Sequence, residues 1–493
     1  MAEIAKKLIA LFILAFALQT DHSASAGQKH TITIHTRKVL GTVNEMVFGT
    51  NLIGYDPTTY EDWPGEYTGY SDFGAGIWVP SKNEPAREVV ELARNARAAV
   101  MRFPGGCGTH KYDWRQAVGK DRKKFLFGIE EFLQVCEAAR AVPVFTISYF
   151  TGDEHEAAAL VEYLNGRINY FEIGNEDWHG DHRKIKSVSP KEYAQRYLKY
   201  YAAIKKVQPG AQIGAILCLP EWDRKVMEII KDNIDFGIVH MYPDPGVGNA
   251  ALPWMRPEDI FSKTLGRINT HYERVLKDTA ELLKEKAGKP VPLAITEYNA
   301  GFVQQKPVPY RHCLGSALVN ADFLRILMKP ENKILMANYW QFCNSYWGMV
   351  YARQDYMKHD PDLLIEYVKR PNYYVYALYK EHFGTELIEA DAGKQAGDLS
   401  VNASKSSDGN TVYLMVVNKN MRQAVTASIG FDDFSAASKA SAWVLNADSV
   451  DATNEDNPQR VSVKEKEIHG SKSIFTVTFP PHSLTALAFH TTS

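Results

Sequence analysis

Short apolar runs alternate with longer amphipathic segments between about Asn44 and His382. Each short run ends in polar residues or glycine, which is typical of strands buried on both faces of a parallel sheet. We predict eight such strands, at residues 46–51, 98–103, 142–149, 168–174, 212–217, 236–241, 291–297 and 334–340.

The longer segments carry apolar residues at helical spacing, and they predict helices at 84–95, 128–140, 193–207, 270–286 and 314–328. Before the third helix, Ser189, Pro190 and Glu192 match an N-cap, a first-turn proline and a capping-box glutamate. Strands alternating with helices over residues 44–383 predict an α/β fold, a (β/α)8 TIM barrel. A doubly wound open sheet is the alternative, but no G-x-G-x-x-G turn follows the first strand.

The pattern changes over residues 384–493. Alternating runs at 411–418, 424–431, 440–445 and 474–479 are separated by polar turns, and no long helical pattern is present. This predicts a C-terminal antiparallel β-sandwich. Residues 27–43 also alternate, so we expect them to join the sandwich as one or more strands.

Residues 1–26 resemble a secretory signal peptide. Lys6 and Lys7 precede an apolar run, and Ala24-Ser25-Ala26 matches the small-residue cleavage pattern. We therefore expect cleavage after Ala26, a secreted or periplasmic protein and no membrane association after cleavage. An uncleaved N-terminal anchor helix is the alternative.

The net charge and the cysteine spacing exclude several classes of function. The net charge of −2 gives no basic balance of the kind that binds nucleic acid, so no nucleic-acid partner is expected. The five cysteines include no C-x-x-C pair, and neither H-E-x-x-H nor a phosphate loop occurs. We predict no metal and no cofactor.

Two carboxylates end predicted strands. Asn175 and Glu176 follow the fourth strand, and Glu297 ends the seventh. Active sites of TIM barrels lie at the C-terminal ends of the strands, so these groups should meet. Paired carboxylates suit glycoside hydrolysis, where one donates a proton and the other attacks the anomeric carbon or activates water. Two turn carboxylates that face water are the alternative.

Basic and phenolic side chains end two other strands. Arg102 ends the second strand and is expected either to keep the nucleophile ionised or to form a structural salt bridge. His240 and Tyr242 end the sixth strand. A Tyr242 hydrogen bond would lower the pKa of the nucleophile. His240 is equally consistent with a buried structural histidine.

Four further side chains are expected to contact a sugar. Trp340 and Gln341 end the eighth strand and offer an aromatic wall and an amide. Asn175 is placed to bond the hydroxyl next to the reacting carbon. Trp178 lines a subsite or packs in the core.

Seven stretches carry a resemblance to a known family: RFPGGCGTHKYDW, FEIGNEDW, IVHMY, ITEYNAG, MANYWQFCN, PNYYVYALYKEHFG and LNADSVDATNEDNPQRV. In this order they resemble the α-L-arabinofuranosidases of glycoside hydrolase family 51, in clan A. The C-terminal DATN-x-x-NP-x-RV run is distinctive, whereas Gly-Asn-Glu is shared across the clan. The resemblance implies a (β/α)8 barrel with a β-sandwich, retention of configuration and no metal. It also implies Glu176 as the acid/base and Glu297 as the nucleophile, and homo-oligomers are common in the family.

Two positions depart from the family pattern. Asn51 stands where the family usually carries an acidic residue after the first strand, and Cys107 replaces the asparagine after Arg-x-Pro-Gly-Gly. Both positions would touch the sugar, so we expect intact catalytic machinery and an altered glycone pocket.

Three functions remain open from sequence. The first is a retaining exo-enzyme that removes arabinofuranosyl or related residues from plant-type oligo- or polysaccharide. The second is a clan A β-xylosidase, galactofuranosidase or endo-glucanase. The third is a non-catalytic carbohydrate-binding barrel, for which one of the two strand-end acids should be missing.

Overall fold

Two closed β-structures account for most of the strands that the structure describes. The computed structural model describes residues 30–52, 76–79, 82–122, 125, 127–179, 187–248, 250–301, 311–343, 347–354, 364–393, 397–471 and 474–492. The segment 1–26, interpreted above as a signal peptide, lies outside these residues. Within them, no helix combines the length and the apolar character that crossing a bilayer requires.

The strands of the described residues are, in chain order, β1 (His30–Thr42), β2 (Gly49–Asn51), β3 (Trp78–Val79), β4 (Glu84–Pro85), β5 (Val100–Phe103), β6 (Val142–Ile147), β7 (Tyr170–Ile173), β8 (Gln212–Leu217), β9 (Phe236–Met241), β10 (Leu293–Tyr298), β11 (Ile334–Tyr339), β12 (Val350–Gln354), β13 (Leu364–Lys369), β14 (Glu386–Asp391), β15 (Leu399–Lys405), β16 (Thr411–Asn418), β17 (Val425–Phe431), β18 (Ala436–Asn446), β19 (Ser462–Ser471), β20 (Ile474–Phe479) and β21 (Ser483–Thr491). The α-helices are α1 (Arg87–Asn95), α2 (Ile129–Ala139), α3 (Glu154–Leu164), α4 (Pro190–Val207), α5 (Pro220–Ile230), α6 (Pro257–Arg267), α7 (Glu273–Ala287), α8 (Leu314–Leu327) and α9 (Pro371–Glu381).

Eight parallel strands close into the predicted barrel, in the order β10-β11-β2-β5-β6-β7-β8-β9. All eight predicted strands are present, and the predicted TIM-barrel fold is confirmed. The first strand starts later than predicted, because residues Glu45–Phe48 form a 3-10 turn. The Asn44 side chain caps this turn by accepting a 3.0 Å hydrogen bond from the Met46 amide.

The predicted helices differ from the observed ones mainly at their starts. Ser189 caps α4 as predicted, accepting the Glu192 amide at 3.2 Å. The helix predicted at 270–286 begins later, at Glu273, because a π-helical turn at Ile268–Tyr272 precedes it. Four helices were not predicted, namely α3, α5, α6 and α9. Three of these begin at a proline, a first-turn signal that the periodicity analysis did not use.

The C-terminal strands form the second closed structure, in the order β1-β14-β15-β16-β21-β18-β19-β20-β17. It is antiparallel except where β1 pairs in parallel with β17. The alternating residues 30–42 do join it as β1, and this strand links the two edges so that hydrogen bonds continue around the sandwich. Its core is a separate apolar cluster that includes Ile34, Leu414 and Phe475. The predicted C-terminal β-domain is confirmed.

Helix α8 joins the barrel to the sandwich. Every residue of α8 is buried, because it contacts α6 and α9 on the barrel and β15, β16 and β21 on the sandwich. A helix covered on all sides need not be amphipathic. Its first amides, those of Leu314 and Gly315, donate to the carbonyls of Ala452 and Val450 in the loop between β18 and β19.

Candidate active site

The strand ends bring the predicted polar residues together on one face of the barrel. Arg102 ends β5, His240 lies on β9 and Glu297 on β10, and Glu176 follows β7. All four side chains are at least four-fifths buried. Since β9 pairs with β10 with His240 opposite Glu297, these two residues are direct neighbours.

Arg102 is fully buried and donates to four different acceptors. Its Nε lies 2.5 Å from Glu172 Oε2, and its Nη1 lies 2.9 Å from Glu297 Oε1 and 3.1 Å from Asn51 Oδ1. Its Nη2 donates to Asn175 Oδ1 at 2.9 Å. Burial lowers the pKa of Arg102, but Glu172 and Glu297 together raise it above its ordinary value. A guanidinium with this geometry is a fixed positive charge beneath the site.

Glu297 receives two strong hydrogen bonds. Besides the Arg102 contact, the Tyr242 hydroxyl donates to its Oε2 at 2.6 Å. Burial raises the pKa of Glu297 above its ordinary value, and the neighbouring Glu176 carboxylate adds to this. His240, Arg102 and the Tyr242 hydroxyl act in the opposite direction. Burial and then the Glu297 charge raise the pKa of Tyr242 well above its usual range, so Tyr242 remains a donor.

Glu176 stands in a tight turn after β7. Gly174 has φ +87°, and a Cβ there would lie 2.0 Å from Asp177 Oδ2, so only glycine fits. Glu176 itself has φ +52°, a left-handed conformation that costs a non-glycine residue energy. This turn directs the carboxylate towards His240, whose Nδ1 lies 2.8 Å from Glu176 Oε1. The turn therefore positions the carboxylate rather than releasing it to solvent.

The two carboxylates lie close together with His240 between them. Ligand-capable atoms of Glu176, His240 and Glu297 all fall within 4.8 Å of one another, and His240 Nδ1 is 3.6 Å from Glu297 Oε2. Burial lowers the pKa of His240, but the Glu297 and Glu176 carboxylates together raise it above its ordinary value. Separations of about 5 Å between carboxyl groups are typical of retaining glycosidases, whereas inverting enzymes need about 6.5–9.5 Å.

Three ligand-capable groups at this spacing also satisfy a simple criterion for a metal site. Both Glu297 oxygens, however, already accept hydrogen bonds, one from the Arg102 guanidinium and one from Tyr242. A permanent cation 2.9 Å from one oxygen opposes a second cation at the same carboxylate. The donor set suits proton transfer better than metal binding.

The prediction that position 51 touches the sugar does not agree with the structure. Asn51 is completely buried. Its Oδ1 accepts from Arg102, and its Nδ2 donates to the Thr296 carbonyl at 2.9 Å. Arg102 is likewise fully buried beneath the carboxylates. Both residues support the site from below because the strand ends pack over them.

The remaining predicted residues surround the carboxylates. Asn175 is buried and its Nδ2 lies 4.0 Å from the half-buried Cys107 Sγ, so a thiol borders the site at position 107. Trp178 packs edge-on against Trp222 and His240, with ring centres 6.1 and 6.4 Å apart.

Trp340 forms a wall against the Gly105-Gly106 turn. A Cβ on Gly106 would lie 2.5 Å from the Trp340 ring, and Gly106 has φ +71°. Gln341 is 1% exposed, and its two side-chain amide atoms make no hydrogen bond in the described part of the chain. An orphaned buried amide is costly, which is the property expected of a group that waits for a ligand.

Sequence reasoning missed a second layer of residues. Glu172 accepts from Arg102 and from Thr146 Oγ1 at 2.9 Å. His110 Nε2 lies 2.5 Å from the Asn175 carbonyl oxygen and 3.3 Å from Asp177 Oδ1. Burial raises the pKa of Asp177, and the His110 contact lowers it. The carboxylate of Glu172 within an apolar strand was itself a signal, because a buried acid needs a partner.

Comparisons with known proteins find arabinofuranosidases among the proteins that are similar to this chain. Residues 296–483 match the family model described as the α-L-arabinofuranosidase C-terminal domain. An intracellular exo-α-L-arabinofuranosidase of Bacteroides ovatus is 23% identical, covering 98% of this chain and 99% of its own. A crystal structure of the α-L-arabinofuranosidase from Thermotoga maritima superposes with a TM-score of 0.76 at 21% identity, covering 94% of this chain and 100% of that one. The structure of the family 51 α-L-arabinofuranosidase from Thermotoga petrophila superposes with a TM-score of 0.74 at 21% identity. The superposition covers 93% of this chain and 100% of that one.

The predicted resemblance to family 51 α-L-arabinofuranosidases is thus confirmed, as is the predicted class of glycoside hydrolase. The prediction of a secreted or periplasmic protein is wrong. The Bacteroides ovatus relative, which aligns with 98% of this chain, is named an intracellular enzyme. A short apolar run after two lysines also occurs in N-terminal helices that are not cleaved, so this pattern alone does not identify export.

Proposed function

We propose that this glycoside hydrolase is an exo-acting α-L-arabinofuranosidase-like enzyme that works with retention of configuration. Its substrates would be arabinofuranosyl or related residues on plant-type oligo- or polysaccharides. The observation that carries this proposal is the pair of carboxylates, Glu176 and Glu297, which lie in unlike surroundings with an oxygen of one within 4.8 Å of an oxygen of the other. The names of the relatives support the choice of sugar.

One proton shared between the carboxylates defines the resting state. Two close carboxylates resist being ionised together, which is why the Glu176 charge raises the pKa of Glu297. Glu297, with donors from Arg102 and Tyr242, is the more stable carboxylate. The proton then lies between Glu176 and His240, whose Oε1 and Nδ1 are 2.8 Å apart, and Glu176 is the group that delivers it to the substrate.

The reaction follows from this asymmetry as a double displacement. Glu297 attacks the anomeric carbon while Glu176 protonates the departing oxygen, and a glycosyl ester forms on Glu297. The ester removes the negative charge of Glu297, so the pKa of Glu176 falls and Glu176 becomes a base. It then takes a proton from water, and the water oxygen attacks the anomeric carbon and breaks the ester. Glu297 leaves as a carboxylate, and Glu176 is again protonated.

Within this proposal, residues 44–383 form the catalytic barrel, and residues 27–43 and 384–493 form the sandwich. Asn175 and Trp178 border Glu176, while Trp340, Gln341 and Cys107 shape the glycone pocket. Assembly into homo-oligomers stays a prediction.

The test is hydrolysis of aryl glycosides by the wild type and by Glu176→Ala, Glu297→Ala and Glu221→Ala. Glu221 is a helix-surface control that pairs only with Lys225 among the described residues. The panel contains α-L-arabinofuranoside, β-D-galactofuranoside, β-D-xyloside, α-L-arabinopyranoside and β-D-glucoside. We expect rapid arabinofuranoside cleavage with retention, observed by NMR, and losses in both site variants. Azide should restore cleavage of an activated aryl glycoside by Glu176→Ala and give a glycosyl azide of retained configuration, whereas any glycosyl azide formed by Glu297→Ala should have the inverted configuration.

Three results would contradict the proposal. Cleavage of another glycoside alone would assign a different clan A specificity. An inverted product would exclude the double displacement. Full activity in Glu297→Ala would exclude the assigned nucleophile.

A further inference from the structure

The loop between β18 and β19 of the sandwich contacts the barrel at several points. Besides capping α8, it places the buried Asn454 against residue 369, where Asn454 Nδ2 donates to the Lys369 carbonyl at 2.9 Å. Asn454 Nδ2 also donates to the Val461 carbonyl at 2.9 Å, and Asn454 Oδ1 accepts from the Val461 amide at 2.8 Å. These two bonds tie the start of the loop to its end. Glu455, the next residue, is therefore held at a defined position on the barrel.

Glu455 forms a bidentate pair with Arg370, which directly precedes α9. Its oxygens lie 2.7 Å from Arg370 Nε and 3.0 Å from Arg370 Nη2. Arg370 is 1% exposed, so this pair is shielded from water on the arginine side. Two parallel hydrogen bonds to one carboxylate fix the plane of the guanidinium as well as its charge.

The guanidinium in turn holds a segment that follows the eighth barrel strand. Arg370 Nη1 donates to the Gly348 carbonyl at 2.8 Å, and the Arg370 amide donates to the Met349 carbonyl at 3.0 Å. The amides of Met349 and Val350 donate back to the carbonyls of Gln341 and Phe342, at 3.0 and 2.9 Å. Residues 347–350, which we call the β11 return, are thus clamped between Arg370 and the end of the barrel.

The β11 return reaches the candidate nucleophile through two aromatic rings. Trp347 is 3% exposed, and its ring centre lies 6.3 Å from that of Tyr242. The Tyr242 hydroxyl donates to Glu297 at 2.6 Å. A hydrogen bond this short depends on where the phenol ring is held, since its strength falls steeply with distance and angle.

We propose that Glu455 is a positioning residue for the candidate nucleophile, acting through Arg370 and the β11 return to hold Trp347 against Tyr242. This inference rests on the proposed role of Glu297. The sandwich would then take part in the reaction, although none of its described side chains contacts Glu176 or Glu297. If Glu455 is lost, Trp347 gains freedom, the Tyr242 hydrogen bond weakens and the ionised form of Glu297 becomes less stable.

The test compares Glu455→Ala and Glu455→Gln with Asp448→Asn in the full chain. Asp448 lies in the same loop and pairs with Arg460 at 3.1 Å, but both side chains are largely exposed and contact no barrel residue through this pair. The readouts are the pH profile of kcat/KM, the separate values of kcat and KM, the melting temperature, and hydrogen exchange at the amides of Met349 and Val350.

We expect Glu455→Ala to lower kcat/KM by about tenfold, mostly through kcat, as small displacements of reacting groups do. The acid limb of its pH profile should move to higher pH, because a less stable Glu297 carboxylate has a higher pKa. Exchange at Met349 and Val350 should become faster. Glu455→Gln, which keeps one acceptor, should give smaller changes in the same direction, and Asp448→Asn should give none.

Two results would overturn the inference. One is a lower melting temperature with an unmoved acid limb and unchanged kcat, which describes a purely structural ion pair. The other is unchanged exchange at Met349 and Val350 in both Glu455 variants. If the wild type cleaves none of the glycosides, the proposed function fails, whereas the exchange measurement still decides whether Glu455 holds the β11 return.

Discussion

Replacing Tyr242 with phenylalanine should isolate one hydrogen bond to the candidate nucleophile. The substitution removes the hydroxyl that donates to Glu297 Oε2 at 2.6 Å and leaves the ring that packs on Trp347. Arg102 would still donate to Oε1 at 2.9 Å. The Glu297 carboxylate therefore keeps its ion pair with Arg102 and loses its hydrogen bond from the neutral Tyr242 hydroxyl.

The size of the effect follows from the kind of bond. A hydrogen bond to a charged group contributes about 1.5–3 kcal/mol. Because the hydroxyl stabilises only the ionised carboxylate, its removal raises the pKa of Glu297, which burial already holds above its ordinary value. Since one pKa unit corresponds to about 1.4 kcal/mol, the rise should be about one to two units. The acid limb of kcat/KM should move upward by the same amount.

The assay is kcat/KM for an aryl α-L-arabinofuranoside across pH, for the wild type, Tyr242→Phe and Tyr163→Phe. Tyr163 is a matched control, because its hydroxyl also donates to a glutamate, Glu130 Oε1 at 2.7 Å, but on the exposed surface of α3. We expect the upward shift in Tyr242→Phe alone. An unchanged acid limb would show either that Glu297 is not the titrating group or that the free enzyme lacks this bond.

Two further predictions concern buried polar groups. Asp223 is buried, and burial raises its pKa to about 6, so the folded state holds this proton more tightly than the unfolded state. Its contribution to stability is complete below about pH 4 and is lost as the pH rises through about 6. The wild type should therefore lose about 1 kcal/mol more unfolding free energy between pH 5 and pH 7 than Asp223→Asn in urea titrations; equal losses would refute the assignment. Gln341→Leu removes a buried amide that has no hydrogen-bond partner, so the unfolding free energy should rise by about 1 kcal/mol. If Gln341 contacts the substrate, kcat/KM should fall at least about tenfold. Unchanged kinetics would exclude substrate contact by Gln341.

The barrel could be predicted from the sequence because its strands are uniformly apolar and end in polar residues. The strands β8 and β9 were predicted with their observed bounds, 212–217 and 236–241. The candidate carboxylates followed from the same reasoning, since parallel strands place their C-terminal ends at one face. The pattern could not predict how deeply each polar side chain is buried. A polar residue at the end of a strand has the same sequence signal whether it faces the pocket or lies beneath the carboxylates.

The sequence pattern could not predict residues that affect the candidate site only through their contacts with other residues. Arg370 and Glu455 are 85 positions apart along the chain and meet only in the folded structure. His110 lies in a 3-10 turn at Cys107–Lys111, where local periodicity carries no information about its contact with Asn175. Helix α8 was predicted from apolar residues at helical spacing, yet its position between two domains is a tertiary property.

Asn51 shares a donor with the candidate nucleophile, and its lack of charge affects that carboxylate. Arg102 Nη1 is shared between Asn51 Oδ1 at 3.1 Å and Glu297 Oε1 at 2.9 Å. An acid at position 51 would compete with Glu297 for the same N–H and add a like charge beside it, which would raise the pKa of Glu297. A neutral amide leaves Glu297 as the only carboxylate on Nη1 among the described residues. Within the proposed mechanism, the neutral Asn51 therefore favours an ionised Glu297, and Cys107 and Gln341 stay the predicted residues of the glycone pocket.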